Sequence, residues 1–448
     1  MGQPLSYTEY GSKKGYAIFH PAGPQWLVIN STGRDIFLAL LAGSGIDEVA
    51  VSIAREYGVG LDRSRADVFR VQNSLSKLQF LDVASFKLQE RRPEPRSLFL
   101  HLTHRCNLSC THCYTGDSPS ETPRDLPTRV VFSLFEQIKE AGGGAVTLSG
   151  GEPLLHPDIR SILAHARPEL EIRLLTNGTL INQNWADILA GQKARVQVSL
   201  DGSCPEVHDA IRGKGSFEKT VRAVALLQEA GLGSQVNLAT TVMRQNLADL
   251  PKIIDRAKQM GVPLVRFLPV RKRGTAVRNW EQIGKNLTRQ DAEQFYDFVI
   301  HTNRDRSACT EVSCGLSGFM LAMPDETDDD IWCPVGRQLV VDVDGSAYPC
   351  AAMMTPEFRM GSVFTESVED LFFGTPMKMV CQALTERRQE IERCAACTWR
   401  NLCQSGCMAL ALEHKGTIWD TDDFCEYRKK RYKEAFDRIL AHEDEVSA

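Results

Sequence analysis

The sequence predicts an α/β protein: a partial (β/α)6 barrel of the TIM type, preceded by a winged-helix-like domain and followed by a cysteine-rich domain. Three observations predict it. Strand-like and helix-like apolar runs alternate six times between residues 97 and 305. Glycine-bearing turns follow several of the strand-like runs. The 14 cysteines are absent before Cys106, and eight of them fall between Cys333 and Cys425.

Composition narrows the class. The chain has 448 residues, 43% hydrophobic and 24% charged, which suits a globular protein of two or three domains. A net charge of −5 gives no basic excess to attract nucleic acid. No run of about 18 apolar residues is present, so no membrane span is expected. The first ten residues lack the charged start and apolar core of a signal peptide, and a cytoplasmic location is expected. In such a chain cysteines serve metal or cluster ligation better than a disulfide framework, which belongs to small secreted domains without a core.

The first domain covers residues 1–90. Runs 15–20 and 25–30 read as short strands. Residues 35–42, 46–57 and 66–81 read as helices, the last with apolar Val68, Val71, Leu75, Leu78 and Leu81. Residues 89–96, rich in Arg, Glu and Pro, read as a linker.

The second domain covers residues 91–305. Strands are expected at 98–102, 145–148, 172–175, 196–200, 236–242 and 264–270, and helices at 128–141, 158–166, 182–189, 217–230, 250–260 and 291–303. Gly142, Gly191, Gly231 and Gly261 stand where helix C-caps are expected. In a barrel of this kind chemistry gathers at the C-terminal ends of the strands. The first strand is followed by Cys106, Cys110 and Cys113, spaced C-x3-C-x2-C. Three thiolates in one loop suit a soft metal centre and leave one metal position open, whereas an iron–sulfur cube normally takes four cysteines. On the loop alone zinc competes, with His104 or His112 as a fourth ligand. The second strand is followed by Gly150, Gly151, Glu152 and Pro153, where two glycines let a ligand approach the backbone.

Together these two rim signals resemble the radical S-adenosylmethionine (radical SAM) superfamily. The resemblance implies that Cys106, Cys110 and Cys113 hold a 4Fe–4S cluster whose open iron binds SAM. It implies that Gly150, Gly151, Glu152 and Pro153 bind the methionyl amino group, and that Ser199 and Asp201 face the ribose. Arg212 would pair with the SAM carboxylate, a role that suits a two-pronged guanidinium; a surface ion pair is the competing reading.

The third domain covers residues 306–448. Alternating Leu339, Val341 and Val343 leading into Asp344 and Gly345 read as a β-hairpin. Cys394, Cys397, Cys403, Cys407 and Cys425 follow. This region resembles the SPASM extension of radical SAM enzymes, which implies two auxiliary 4Fe–4S clusters and hence three in all. By that resemblance Cys394, Cys397, Cys403 and Cys425 hold the outer one. Cys333, Cys350 and Cys407 hold the inner one, with Cys314 as fourth ligand, Cys309 as its competitor, or an iron left open to a substrate thiolate. A pair of zinc sites is the competing reading. Cys204 and Cys381 are left without a role.

Residues 28–33, entering the first helix, resemble the RiPP recognition element, a module that binds the leader of a ribosomally made precursor peptide as an added strand. A structural cap or dimerisation domain is the alternative. The combined expectation is a peptide maturase that cleaves SAM to a 5′-deoxyadenosyl radical and abstracts hydrogen from the peptide. A thioether crosslink is preferred over carbon–carbon crosslinking or decarboxylation, because it uses two extra clusters. The expected electron donor is a flavodoxin or ferredoxin. The rivals are a sulfatase-type maturase, disfavoured by Ala351 where such enzymes place an aspartate, a haem-pathway decarboxylase, and a zinc-binding peptide chaperone.

Overall fold

The computed structural model describes residues 7–12, 15–82, 90–116, 125–166, 168–284, 288–304, 310–314 and 333–442. They fall into two compact units: residues up to 91 together with those from 382 onward, and the described residues of 92–381.

The second unit is built on one ten-stranded sheet. All six expected barrel strands are present: β4 (Ser97–Thr103), β5 (Ala145–Gly150), β6 (Glu171–Thr176), β7 (Arg195–Ser199), β8 (Val236–Val242) and β9 (Leu264–Pro269). They lie side by side in chain order and all are parallel. Helices cross between them, including α4 (Thr128–Glu140), α5 (Ile159–His165), α6 (Gln183–Gly191), α7 (Pro205–Arg212), α8 (Ser216–Leu227) and α9 (Leu250–Gln259). Most of them bury an apolar stripe; in α4 it is Val131, Leu134, Phe135 and Ile138, whereas α7 buries His208 and Arg212 beside Ile211. β5 is buried along nearly its whole length, as a strand covered on both faces should be, whereas in β7 buried Val196 and Val198 alternate with Arg195 and Gln197.

Two parallel strands extend the sheet beyond the six. β10 (Glu311–Cys314) pairs with β9, and β11 (Gln338–Val341) pairs with β4. β10 was not expected: it is four residues long, and of these Val312 alone is a large apolar side chain that the core covers. The expected hairpin is formed by β11 and β12 (Ser346–Tyr348), with Gly345 at φ 78° in its turn, and β13 (Gly361–Ser362) closes that edge.

The first unit holds a three-stranded antiparallel sheet of β1 (Thr8–Ser12), β2 (Gly15–Phe19) and β3 (Trp26–Ile29), followed by α1 (Ser31–Leu41), α2 (Ile46–Tyr57) and α3 (Leu61–Lys77). β1 is an addition to the two expected strands, and α1 begins four residues earlier than expected. The Asn30 side chain caps it by accepting the Gly33 N–H at 2.8 Å. The sheet is buried on both faces. Ile18, Leu27 and Ile29 meet Phe37, Leu75 and Phe80 of the helical side. Ala17 and Phe19, one residue out of phase, meet Trp399, Tyr432 and Phe436. That second face is why the C-terminal helix Cys425–His442 clusters with the first domain. Among the described residues no helix is long and apolar enough to cross a membrane.

Candidate functional site

The three-cysteine loop leaves the end of β4, and the chain's own backbone holds it in place. The Gly151 N–H donates to Thr103 O at 2.6 Å and the Glu152 N–H to Arg105 O at 2.8 Å. Side chains at the two glycines would prevent this. A Cβ on Gly150 would lie 2.3 Å from Thr103 O, and one on Gly151 would lie 2.3 Å from Arg105 O. The close backbone approach anticipated at this turn is therefore made by the segment that leads into the cysteines. Farther along, the Thr111 N–H donates to Ile211 O at 3.0 Å, and the Thr275 N–H donates to Cys113 O at 2.8 Å. Asn279 Nδ2 donates to Thr111 O at 2.8 Å.

Glu152 is fully buried. Its carboxylate accepts from Leu154 N, Thr176 Oγ1 and Asn177 N at 2.8–3.2 Å, tying the turn after β5 to the end of β6. Burial pushes its pKa up to about 7 against the pull of those donors. Pro153 opens a short 3-10 turn behind it. Ser199 ends β7, in register with Ala239 of β8.

Asp201 and Arg212 form a buried pair, with Arg212 Nε donating to Asp201 Oδ2 at 2.6 Å. Arg212 is 8% exposed, so it is not the surface pair of the competing reading. Its Nη1 lies 3.9 Å from Cys110 Sγ. Asp201 also accepts from Thr241 N at 2.7 Å and lies 3.6 Å from His112 Nε2. Burial would raise the Asp201 carboxyl, but the Arg212 charge, helped by the Thr241 N–H, outweighs it and holds it below its usual range. His112 and His208 are pushed down to about 4, chiefly by burial, and stand neutral. The fold gathers Arg212, His112 and His208 around Asp201, and Arg212 links that cluster to Cys110.

The thiols themselves favour a bound cation. Burial pushes Cys110 up to about 11, with smaller contributions from Cys113 and Cys106, and burial likewise raises Cys106. Crowded thiols that resist ionising alone become good ligands once a metal centre stabilises the thiolates. Cys106 is exposed and Cys110 buried, so one side of the site stays open to a ligand. Cys106, Cys110 and Cys113 would hold an iron–sulfur cluster here, which would supply electrons and an open iron.

Beside this loop lies a network not foreseen from sequence. Asp342, following β11, accepts from His101 Nδ1 at 3.1 Å and from His104 Nε2 at 2.8 Å, and His101 Nε2 bonds the Tyr114 hydroxyl at 3.1 Å. Asp342 is held far below the ordinary carboxyl range: burial opposes this, and the two histidines prevail. The visible signal was His101, a polar residue inside an apolar strand. The ligand atoms of His101, His104 and Asp342 lie within 4.8 Å of one another. Their shared hydrogen bonds already account for that spacing.

In the first unit Cys394, Cys397, Cys403 and Cys425 line one cavity with Trp399, Arg428 and Tyr432. Burial raises the thiols of Cys394, Cys397 and Cys425, and each feels its neighbours' charge. Four cysteines converging on one enclosed space fit a tetrahedral metal or a cubane cluster. Cys407 donates its N–H to Asp422 at 2.9 Å. Cys333 and Cys350 belong to the second unit, where Cys350 Sγ accepts the Ala352 N–H at 3.4 Å. The Cys314 backbone ends β10 opposite Phe267. Cys309 lies outside the described residues. Cys204 precedes α7 at its N-cap, and Cys381 is buried.

Comparison with known proteins agrees with this chemistry. Residues 100–257 match the radical SAM superfamily, and residues 333–398 match SPASM, an iron–sulfur cluster-binding domain. The mycofactocin maturase MftC of Mycolicibacterium smegmatis is 30% identical over 319 residues, 70% of this chain and 78% of that protein. An AdoMet-dependent heme synthase of Methanosarcina barkeri is 25% identical over 354 residues, 75% of this chain and 97% of that protein. The structure of Streptococcus suis SuiB bound to S-adenosylmethionine shares the fold, with a TM-score of 0.61 at 16% identity, covering 95% of this chain and 100% of that one. The chain belongs to the radical SAM superfamily: it is a radical SAM enzyme carrying a C-terminal iron–sulfur cluster-binding SPASM domain.

Proposed function

We propose that the protein matures a ribosomally made precursor peptide and that it most readily forms a thioether crosslink. The observation that carries this reading is the small sheet of the first domain. Its β3 edge has no further strand partner among the described residues, while β2 is paired on both sides. A strand at the edge of a sheet is a template for an added strand. Residues 1–90 would grip the leader there, and residues 91–305 would act on the core of the peptide. MftC, named as a maturase, supports the same class.

In this reading Cys106, Cys110 and Cys113 hold the SAM cluster. Cys394, Cys397, Cys403 and Cys425 hold the outer auxiliary cluster. Cys333, Cys350 and Cys407 hold the inner one with Cys314, which makes three clusters in residues 91–448. A cluster held by Cys106, Cys110 and Cys113 would, with SAM bound, supply the 5′-deoxyadenosyl radical chemistry needed to remove one hydrogen atom from the peptide. Gly150 and Gly151 fix the loop of the cluster, and Glu152, with its pKa near 7, braces the turn where the methionyl amino group would sit. Asp201 and Arg212 place one neutralised pair beside Cys110. Joining a peptide carbon to a cysteine sulfur removes two hydrogens: one would leave as an atom on 5′-deoxyadenosine, the other as a proton to solvent and an electron that the inner auxiliary cluster would accept. A flavodoxin or ferredoxin would deliver the starting electron, and a cytoplasmic location fits that chemistry.

The test is to incubate the reconstituted enzyme with SAM, a reductant and a cysteine-containing precursor peptide encoded beside it. The expected product has lost two hydrogens per crosslink and one free thiol. A second reading, decarboxylation of a haem precursor, is favoured by the 25% identity to the heme synthase. Carbon dioxide release from a porphyrin, with no change in any peptide, would establish it instead.

A further inference from the structure

We propose that Arg428 is a positioning residue of the four-cysteine site: its guanidinium holds the Cys403 sulfur by a hydrogen bond and raises the reduction potential of the cluster bound there. This rests on the assignment of Cys394, Cys397, Cys403 and Cys425 to an iron–sulfur cluster.

The helix Cys425–His442 carries one proposed ligand at its first residue and Arg428 three positions on, nearly one turn away. Arg428 is 1% exposed and Asp422 2% exposed, among the most enclosed charged groups described. Arg428 Nη1 donates to the two oxygens of Asp422 at 2.7 and 3.0 Å. Arg428 Nε donates to Cys403 Sγ at 3.2 Å, inside the range for a hydrogen bond to sulfur. Asp422 accepts the backbone N–H of Cys407 at 2.9 Å and that of Phe424 at 3.0 Å. One buried pair therefore contacts the sulfur of Cys403 and, through its acid, the backbone of Cys407.

The loop between those cysteines is shaped around the pair. Gln404, Ser405 and Gly406 are all left-handed, at φ 49°, 64° and 72°. For Gln404 and Ser405, which carry a Cβ, this conformation is strained. Arg387, also fully buried, holds the loop from its other side by donating to Ser405 O, Gly406 O, Ile418 O and Asp420 O. A Cβ on Gly406 would stand 2.2 Å from Arg428 Nη2 and 2.6 Å from an Asp422 oxygen. Glycine at 406 is what lets the guanidinium lie across the turn.

A purely structural ion pair accounts for part of this. Asp422 satisfies the charge of Arg428, and a buried arginine without such a partner is strongly destabilising. It does not account for Nε on the sulfur. Hydrogen bonds to cluster sulfurs stabilise the reduced, more negative state and so raise the potential. Since Asp422 offsets the net charge, the effect works through the donated N–H, and removing the acid should shift the potential the other way.

The experiment uses the full-length, anaerobically reconstituted protein in a Cys106→Ala/Cys110→Ala/Cys113→Ala background, so that the remaining iron belongs to the C-terminal sites. Potentiometric titration followed by electron paramagnetic resonance reads the outer cluster. R428Q is expected to lower its reduced-to-oxidised ratio at fixed potential about tenfold, equivalent to about 59 mV for one electron. R428K should recover part of that shift, and D422N should raise the ratio. Unchanged potentials in R428Q and D422N at full iron content overturn the proposal, as do shifts of the same sign in both. If R428Q loses iron, recovery of iron in R428K supports positioning; loss from both, with D422N at the parent potential, overturns it. Stoichiometric zinc without iron in the parent protein removes the cluster assignment itself, a result separate from any behaviour of the variants.

Discussion

Two cysteine loops in this molecule each have a buried Arg–Asp pair beside a cysteine sulfur, yet they differ in what else holds them. The loop of Cys106, Cys110 and Cys113 is held by backbone: carbonyls of Thr103 and Arg105 face the glycine turn after β5, and Cys113 O accepts the N–H of Thr275. The loop from Cys403 to Cys407 is held by charge: Arg387 and Arg428, both buried, collect carbonyls, a carboxylate and a sulfur around three left-handed residues. Backbone anchoring leaves the side chains of the first loop, including exposed Cys106, available to a ligand. The arginine-held loop is enclosed, which suits a centre that exchanges electrons only.

This contrast can be broken most directly at the first loop. Cys106→Ala should abolish SAM cleavage, read as loss of 5′-deoxyadenosine. Cys394→Ala should leave slow cleavage and chiefly impair turnover or folding. Normal deoxyadenosine from the first variant would remove the assignment of the SAM cluster. Next in size, Gly151→Ala forces its Cβ against Arg105 O and should cut deoxyadenosine formation about a hundredfold with loss of iron from that loop, because misplacing a site by about 1 Å can cost that much. Full activity there would show that the backbone clamp is dispensable.

The enclosed side is sharpened by Phe436→Ala. Phe436 is fully buried, edge-on to Phe19 at 5.0 Å and stacked near Trp399 at 5.3 Å. Truncation should cost about 3–5 kcal/mol, and thermal unfolding with limited proteolysis should show residues 7–82 and 382–442 loosening together. Loosening of the C-terminal part alone would refute a shared core.

The smallest effect concerns pH near the open site. His208 has its pKa lowered from 6.5 to about 4, mainly by burial, and its Nδ1 accepts the Asp201 N–H. The unfolded chain therefore binds the proton more tightly. The contribution of His208 is fully present above about pH 6.5 and is lost as pH falls toward 4, by up to about 3 kcal/mol. His208→Gln, which keeps an acceptor, should flatten the stability profile between pH 4 and 6.5 in denaturant titrations. An unchanged slope would place the acid sensitivity elsewhere.

Much of this was legible in the chain. Buried parallel strands need apolar runs, and crossover helices need 3.6-residue stripes, so β4 to β9 announced themselves locally. The spacing of Cys106, Cys110 and Cys113 carried its chemistry in the same way. β1 and β10 were missed because each is short and owes its existence to a neighbour, β2 or β9, rather than to its own pattern. Asp342 could not be assigned to His101 and His104, since the three meet only because β11 lies parallel to β4. Nor could Arg428 be told from any helical arginine, because its partners Cys403 and Asp422 come from separate turns.

By itself, then, the sequence determined the order of strands and helices, the cysteine spacings and the glycines at the tight turns, all properties of residues close along the chain. Tertiary structure alone decided which groups of opposite charge were buried together, and which face of the first sheet would cover the C-terminal helix. Those outcomes depend on desolvation and packing between distant segments, where a carboxylate is a surface charge or a buried anchor according to what the fold lays against it.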